Sequence, residues 1–338
     1  MIKPTLFELQ IDQLTSANAA MQRCLKLAGL AAQSDVPVLI LGPTGTGKTL
    51  LAQAIHNSSA RASGPFVSFN ASAMSDTLLE SELFGHERGA FTGAQQAHRG
   101  KFEVADAGTL FLDEIADMSP LAQAKILRAV EYGEYQRVGG ERLLHSRARI
   151  LSATNCSLHE RIADRRFRLD LYHRLNGLVL DIPPLRDRLE DLPTLIASEL
   201  QSAAATAGRR ITAIHPSAMD KLLSYHWPGN LRELHHTLRS VALFCDRRTV
   251  QPAHIVFQGG SLTPATPATP ATPATPAAAA PPPSSPPPAA SPSDPSLAAA
   301  IRRHIRQIYE ECGRNQRQAA RRLGISRGKL ARHLGETD

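Results

Sequence analysis

The stretch "GPTGTGKT", residues 42–49, follows the apolar run "VPVLIL" and begins the helical pattern that continues "TLLAQAIH". It fits the spacing G-x-x-x-x-G-K-[ST], in which glycines let backbone N–H groups curl around phosphate oxygens at the N-terminus of a helix. We predict that Lys48 bridges the β- and γ-phosphates of ATP and that the Thr49 hydroxyl ligates Mg²⁺. The strand before the loop and the helix after it argue against a chance glycine-rich turn. The predicted nucleotide contacts in this loop are Gly42, Pro43, Thr44, Gly45, Thr46, Gly47, Lys48 and Thr49.

Five short apolar runs predict one parallel sheet around this loop. Several of them are apolar on both faces, as expected for central strands covered by helices. The intervening segments are long enough for crossover helices, so the predicted fold class is α/β, a doubly wound P-loop domain with helices on both faces of a parallel sheet. After Pro183 and Pro184 the strand pattern fades, and residues 185–257 predict a small all-α subdomain. The predicted strands are 36–42, 66–70, 108–114, 148–155 and 178–184.

A pair of carboxylates follows the third predicted strand, "GTLFLDE". The strand delivers Asp113 and Glu114 to the carboxyl edge of the sheet, where ligands bind in such folds. We predict that Asp113 holds the Mg²⁺ shell and that Glu114 orients and polarises the attacking water, because phosphoryl transfer depends above all on positioning. An acidic pair at the end of a strand is common, but together with the loop at 42–49 it predicts an ATPase.

Composition argues against several classes of protein. The chain has 338 residues, enough for two or three domains, and its 42% hydrophobic and 20% charged content is ordinary for soluble globular proteins. No apolar run approaches membrane-spanning length and the N-terminus lacks a secretory segment, so we expect a cytoplasmic protein without a membrane partner. The four cysteines and thirteen histidines form no metal-ligand pattern.

The C-terminal part divides into a tether and a basic tail. Residues 259–296 contain five Thr-Pro-Ala repeats and cannot bury a core, so they predict an extended linker with a reach on the order of 100 Å. Residues 301–338 hold ten Lys/Arg and four Asp/Glu, which is +6 of the chain's net +7. One short helix capped by Asn315 and ended by Gly324, and a second beginning at Ser326, predict a DNA-binding helix-turn-helix. A basic three-helix module that binds protein is the alternative.

The segment "ELFGHERGAFTGA", residues 82–94, lies between the phosphate-binding loop and "GTLFLDEI". With these neighbours it resembles the bacterial enhancer-binding proteins, the NtrC-type AAA+ activators of sigma-54 RNA polymerase. The resemblance covers residues 15–257 and resumes in the tail. It implies an enhancer-bound ring ATPase, expected to be a homo-hexamer or a hetero-oligomer with a paralogue, that uses ATP hydrolysis to open the closed complex of the sigma-54 RNA polymerase holoenzyme. The residues expected to contact sigma-54 are Gly89, Ala90, Phe91, Thr92, Gly93 and Ala94, with Phe91 and Thr92 at the tip.

The same resemblance implies roles for residues around the nucleotide. Asn70 matches the residue that pairs with the catalytic glutamate, Glu114, and relays nucleotide state to the loop. Thr154 and Asn155, in "SATN", match the sensor I region that reads the γ-phosphate.

Three arginines match family positions that act on the nucleotide. Arg168 and Arg174, in "FRLDLYHRLN", match the arginine-finger segment and are expected to reach into a neighbouring subunit's site. A guanidinium supplied in trans stabilises charge on the transferred phosphoryl group. Arg232, in "WPGNLREL", is expected to contact nucleotide from the helical lid, and residues 131–140 match the second pore loop.

The predicted organisation is a short N-terminal tail (1–14), an AAA+ α/β ATPase subdomain (15–184), an α-helical lid (185–258), the linker (259–296) and a helix-turn-helix domain that resembles the Fis type (297–338). About forty residues before the P-loop cannot hold a receiver or ligand-sensing domain, so activity is expected to be set in trans, by a regulatory protein, a paralogous co-activator or expression level. The rival interpretations are another AAA+ remodeller and a DNA-binding AAA+ regulator that does not act through sigma-54. The expected DNA contacts are Ser326, Arg327, Lys329, Arg332 and His333, although Gly328 stands where the family usually has Ser or Thr.

Overall fold

The computed structural model describes residues 9–72, 74–246, 248–257, 309 and 315–322. The chain divides into two compact units, Met1–Ala265 and Thr266–Asp338. The predicted linker, the first predicted tail helix except Tyr309, and the predicted recognition helix lie outside the described residues. The predicted domain boundaries stay predictions.

The first unit is built on a parallel sheet. In the described part of the chain the strands are β1 (Val38–Leu41), β2 (Phe66–Asn70), β3 (Gly85–His86), β4 (His98–Arg99), β5 (Thr109–Asp113), β6 (Glu134–Gln136), β7 (Leu143–His145), β8 (Arg149–Thr154), β9 (Leu178–Asp181), β10 (Ala213–Ile214) and β11 (Thr249–Val250). Five of them form the sheet in the order β2-β5-β8-β1-β9, and all neighbours are parallel. The predicted α/β fold is confirmed, and four of the five sheet strands are shorter than predicted, whereas β2 has the predicted bounds. The last strand ends at Asp181, just before the two prolines, which lack the N–H that a ladder needs.

Helices cover both faces of this sheet. They are α1 (Ala19–Ala32), α2 (Lys48–Asn57), α3 (Asp76–Phe84), α4 (Lys101–Val104), α5 (Pro120–Tyr132), α6 (Leu158–Ala163) and α7 (Leu169–Leu175). Successive residues of a strand point to opposite faces, so Val38 and Ile40 pack with α1 and α2, whereas Leu39 packs with α3, α5 and α7. Each face therefore has its own buried core.

Register brings the ends of the central strands to one edge. Asn70 lies opposite Asp113 where β2 pairs with β5, and Leu41 lies opposite Thr154 where β1 pairs with β8. The polar residues that the sequence places after separate strands are therefore neighbours in space, at the carboxyl edge of the sheet.

A helical lid follows the sheet. It consists of α8 (Leu192–Thr206), α9 (Pro216–Leu223) and α10 (Asn230–Phe244), which pack around Trp227. The indole N–H of Trp227 donates to the Leu222 carbonyl at 3.1 Å. The short parallel pair of β10 and β11 was not foreseen from the sequence, because two-residue strands carry no periodic pattern.

The second unit contributes one described helix, α11 (Gln316–Arg322). Its first turn is capped as predicted, since the Asn315 side-chain oxygen accepts the N–H of Gln318 at 3.2 Å. Ala319 and Ala320 are buried, so this helix packs on one face.

Candidate active site

The phosphate-binding loop joins the end of β1 to the N-terminus of α2. The N–H of Gly42 donates to a carbonyl at the end of β8 at 3.4 Å, and the Thr46 hydroxyl donates to the Pro43 carbonyl at 2.9 Å. Gly45 and Gly47 have φ of 80° and 104°, where a side chain is strained. No side chain caps α2, so its first N–H groups face an open loop that suits an anion.

Hydrogen bonds and one ion pair connect several residues across the open side of this loop. Lys48 Nζ donates to the Gly42 carbonyl at 3.0 Å and lies 3.4 Å from Glu114 Oε1. Glu114 Oε2 accepts the N–H of Asn155 at 3.1 Å, and the Asn155 side chain donates to Thr44 Oγ1 at 2.9 Å. Only 6% of the Lys48 side chain is exposed, so its charge interacts with Glu114 largely shielded from water. The structure thus brings together predicted residues from three separate segments.

The end of β8 divides its two predicted sensor residues. Thr154 is fully buried, and its hydroxyl accepts the N–H of Cys156 at 3.1 Å. Asn155 is exposed and lies on the loop. The side chain that can respond to a bound phosphate is therefore that of Asn155.

Asn70 lies beside the carboxylate pair but not on the catalytic glutamate. Its side-chain oxygen accepts the N–H of Ser72 at 2.8 Å, and the N–H of Ala71 donates to the Asp113 carbonyl at 3.0 Å. No hydrogen bond joins Asn70 to Glu114 among the described residues, and the expected pairing of the two residues stays a prediction. The Glu114 carboxylate is instead held by Lys48 and by a backbone N–H of the sensor segment.

The donor set fits Mg²⁺ held mostly by a nucleotide. Thr49 is exposed on the first turn of α2, and Asp113 ends β5 half-buried, with Oδ1 accepting the N–H of Glu114 at 3.0 Å. Hydroxyl and carboxylate oxygens are the ligands that Mg²⁺ prefers, and it commonly takes only one or two from protein when phosphates supply others. No group of three or more His, Cys, Asp or Glu that could hold a metal occurs among the described residues.

Asn230 of the lid forms hydrogen bonds both to the phosphate-binding loop and to Leu185, the first residue of the lid. The Asn230 side chain donates to the Thr44 carbonyl at 2.9 Å and accepts the N–H of Leu185 at 2.7 Å. It is 3% exposed and has a φ of 51°. The N–H of Arg232 donates to the Gly45 carbonyl at 3.3 Å, so the predicted lid arginine does lie beside the loop, with an exposed side chain.

A buried arginine that precedes α8 also contacts the phosphate-binding loop. Arg188 is 4% exposed, and its Nη2 donates to the Thr46 carbonyl at 3.3 Å. Burial holds the pKa of its guanidinium below the ordinary value. Sequence reasoning missed both Arg188 and Asn230, because neither lies in a phosphate-binding pattern. The only local signal was the "PGN" turn, since Asn tolerates a left-handed backbone better than most residues.

The two predicted trans-acting arginines are paired within their own chain. Arg168 precedes α7 and donates to Asp170 from Nε and Nη2, at 3.0 and 2.7 Å. Arg174 lies in the last turn of α7 and donates to Glu131 at the end of α5. Both side chains are about half exposed.

The segment with the Gly-Ala-Phe-Thr-Gly-Ala sequence lies between β3 and β4, which pair antiparallel. Thr92 is exposed as predicted, but Phe91 is only half exposed because its ring packs edge-on against His86, with centroids 4.9 Å apart. The expected contact of Phe91 and Thr92 with sigma-54 at the tip of this segment stays a prediction. The turn is closed by the N–H of Gly89, which donates to the Ala94 carbonyl at 2.8 Å.

The second predicted pore loop, residues 131–140, packs against the loop between β3 and β4. The N–H of Glu87 donates to the Val138 carbonyl at 3.0 Å, and a Cβ at Gly139 would lie 2.7 Å from Ala90 Cβ. Arg137 donates to the carboxylates of Glu87 and Glu103 at 3.0 and 2.9 Å. These contacts fix the two loops to each other at their bases.

The predicted DNA contacts Ser326, Arg327, Lys329, Arg332 and His333 lie outside the described residues, and their roles stay predictions. Among the residues that are described, no helix is both long and apolar enough to cross a membrane.

Comparison with known proteins identifies two consecutive families along the chain. Residues 14–181 match the Sigma-54 interaction domain family, and residues 186–269 match the AAA+ ATPase lid domain family. The transcriptional regulatory protein ZraR of Klebsiella oxytoca is 42% identical over 315 residues, which cover 93% of this chain and 67% of that protein. The DNA-binding transcriptional activator HyfR of Escherichia coli is 46% identical over 238 residues, 70% of this chain and 36% of HyfR.

A solved structure extends the likeness to the fold. The crystal structure of NtrX from Brucella abortus in complex with ATP is similar with a TM-score of 0.66 at 30% identity. The match covers 96% of this chain and 68% of the NtrX chain.

Proposed function

The chain belongs to the NtrC-type AAA+ activators of sigma-54 RNA polymerase, and we propose from this how its residues carry out the work. ATP would bind with its phosphates on the open N-terminus of α2 and the backbone of residues 42–49. Lys48 would turn from Glu114 to the β- and γ-phosphates, because the carboxylate and the phosphates compete for the same ammonium group. Glu114 would then be free to polarise water.

The metal-binding residues follow from the donor set. Thr49 and Asp113 would ligate Mg²⁺, which neutralises charge on the phosphates when it is bound. Asn155 is hydrogen-bonded to Thr44 and to Glu114, so a contact of its side chain with the γ-phosphate would shift the position of the Glu114 carboxylate. Arg232 would contact the nucleotide from the lid. Arg168 and Arg174 would act on the nucleotide of an adjacent copy, which makes hydrolysis depend on a ring, a hexamer by family resemblance.

The segment at 89–94 would transmit ATP hydrolysis to sigma-54. Thr92 is exposed, and the half-buried ring of Phe91 packs against His86. The Phe91 side chain could therefore move away from His86 without unfolding a core. We propose that hydrolysis moves this loop against sigma-54 of the promoter-bound holoenzyme, while the C-terminal domain holds enhancer DNA. The protein would therefore work in the cytoplasm, on the nucleoid.

The observation that carries this proposal is the ion pair of Lys48 with Glu114 at the mouth of the loop, because it places a catalytic carboxylate where a γ-phosphate would arrive. The loop function is tested by Thr92→Ala, with the exposed lid residue Thr194→Ala as matched control. We expect Thr92→Ala to keep ATP hydrolysis and DNA binding and to lose open-complex formation at a sigma-54 promoter. Unchanged open-complex formation would instead favour a DNA-binding regulator that does not act through sigma-54.

A further inference from the structure

The two arginines expected to act in trans are held in different ways. Arg168 donates through Nε and Nη2 to both oxygens of Asp170, two residues along the chain. This bidentate arrangement occupies one edge of its guanidinium, raises the pKa of Arg168 and lowers that of Asp170. Arg174 donates only through Nη2, to Glu131. Of the five N–H donors of a guanidinium, the remainder on Arg174 bond to no residue in the described ranges.

The acceptor of Arg174 lies where a carboxylate is otherwise unfavourable. Glu131 is in the last turn of α5, at the negative end of the helix dipole, and that turn contains no basic residue. Arg128, one turn earlier, approaches Glu134 at 3.8 Å instead. The negative charge of Glu131 is therefore compensated by Arg174 of α7, across the gap between the two helices, rather than by a basic residue in the last turn of α5.

The pair also differs in exposure. About 53% of the Arg174 side chain is exposed but only 21% of that of Glu131. The carboxylate is thus the fixed member, packed between two helices, and the guanidinium projects from it into solvent. A long flexible side chain that is held at one nitrogen loses less freedom when its other donors bind a second anion.

We propose that Glu131 is the positioning residue for Arg174: it holds one nitrogen so that the remaining donors of the guanidinium face the triphosphate bound by a neighbouring copy of this chain. This inference rests on the proposed function, in which Arg174 acts in trans. Glu131 itself touches no nucleotide. Its effect is on turnover, because Arg174 stabilises charge that develops during phosphoryl transfer, and not on the binding of ATP to the protomer's own loop.

The first test uses the full chain with Glu131→Ala, Glu131→Gln and, as matched control, Glu141→Gln, whose exposed side chain forms no ion pair in the described residues. We expect kcat for ATP hydrolysis to fall about tenfold in Glu131→Ala with KM within about twofold of wild type, since a misplaced catalytic group costs turnover. Glu131→Gln, which keeps a neutral acceptor for Nη2, should lie between. Wild-type kcat in both Glu131 variants, or a loss confined to KM, would overturn the inference.

The second test separates action on a neighbour from damage within the subunit. Glu131→Ala subunits keep an intact nucleotide site, whereas Lys48→Ala subunits lack one but keep Glu131 and Arg174. In mixed rings the Lys48→Ala subunits should supply a well-placed arginine, so the mixture should hydrolyse more ATP per Glu131→Ala subunit than that variant does alone. Glu131→Gln replaces Glu131→Ala in the mixture if the alanine variant melts below wild type.

Arg174→Ala mixed with Lys48→Ala serves as the reference. If that mixture recovers activity and the Glu131 mixture does not, Glu131 acts inside its own subunit and the inference fails while the proposed function stands. If Arg174→Ala alone hydrolyses ATP at the wild-type rate, the trans-acting arginine itself fails, and the inference with it.

Discussion

Replacement of Asn230 tests how the lid is fastened to the phosphate-binding loop. The Asn230 amide joins the Thr44 carbonyl to the N–H of Leu185, at 2.9 and 2.7 Å, and its backbone has a φ of 51°. Asn230→Gly removes both hydrogen bonds but suits the left-handed backbone. Asn230→Ala removes the same two bonds and adds backbone strain, so the two variants separate the side chain's contribution from that of the backbone.

The expected magnitudes follow from the burial of the two partners. Leu185 is fully buried, so its N–H loses a partner that water cannot replace, at a cost of about 1–3 kcal/mol. Thr44 is exposed, and its carbonyl can turn to water, so its bond contributes about 1 kcal/mol. Asn230→Gly should therefore lower the free energy of unfolding of the lid by about 2–4 kcal/mol, and Asn230→Ala by a further ~1 kcal/mol.

The chain's single tryptophan, Trp227, provides the assay. It is 1% exposed in the lid core, so its fluorescence during urea unfolding reports this part of the molecule. We expect lower urea midpoints at an unchanged slope, in the order wild type, Asn230→Gly, Asn230→Ala. ATP affinity should fall in parallel, because Thr44 is no longer fixed. A wild-type midpoint in Asn230→Gly, or an alanine variant no weaker than the glycine one, would refute the assigned roles.

Three further outcomes are expected. Glu114→Gln should bind ATP at least as tightly as wild type, because the carboxylate that pairs with Lys48 is gone, while turnover falls by about 10²-fold or more; weaker ATP binding in a titration would contradict this. Gly29→Ala, in a helix with open space around it, should raise the free energy of unfolding by about 0.5–1 kcal/mol. Gly45→Ala should instead abolish ATP binding, because its Cβ would lie 2.3 Å from a lid carbonyl; if the two variants did not differ in thermal melting and in ATP titration, the close contact between the loop and the lid would be excluded. Burial lowers the pKa of His56, so the unfolded chain takes up this proton at a higher pH than the folded state does, and stability decreases as pH falls through the ordinary histidine pKa of about 6.5. Denaturation at about pH 7.5 and about pH 5.5 should therefore show a smaller loss of stability in His56→Gln than in wild type.

The sequence by itself determined the sheet and the chemistry at its edge. Strands such as 109–113 are short apolar runs whose end is marked by the polar residues that follow, and a parallel sheet must bring such ends to one side. Lys48, Asp113 and Glu114 could therefore be placed together from local patterns alone. The Asn315 cap was equally local, since donor and acceptor lie three residues apart.

Only the tertiary structure decided which partners these groups take. Asn230 and Thr44 are 186 residues apart, Arg188 and Thr46 are 142 apart, and the partner of Arg174 lies on another helix. No periodicity encodes such contacts, because they depend on how the lid and the helices pack over the sheet. The same reason explains why the sequence predicted neither the ion pair of Glu114 with Lys48 nor the contact of Phe91 with the ring of His86. Local sequence fixes which groups reach the edge of a sheet, and long-range packing fixes which of the available charges and rings each one contacts.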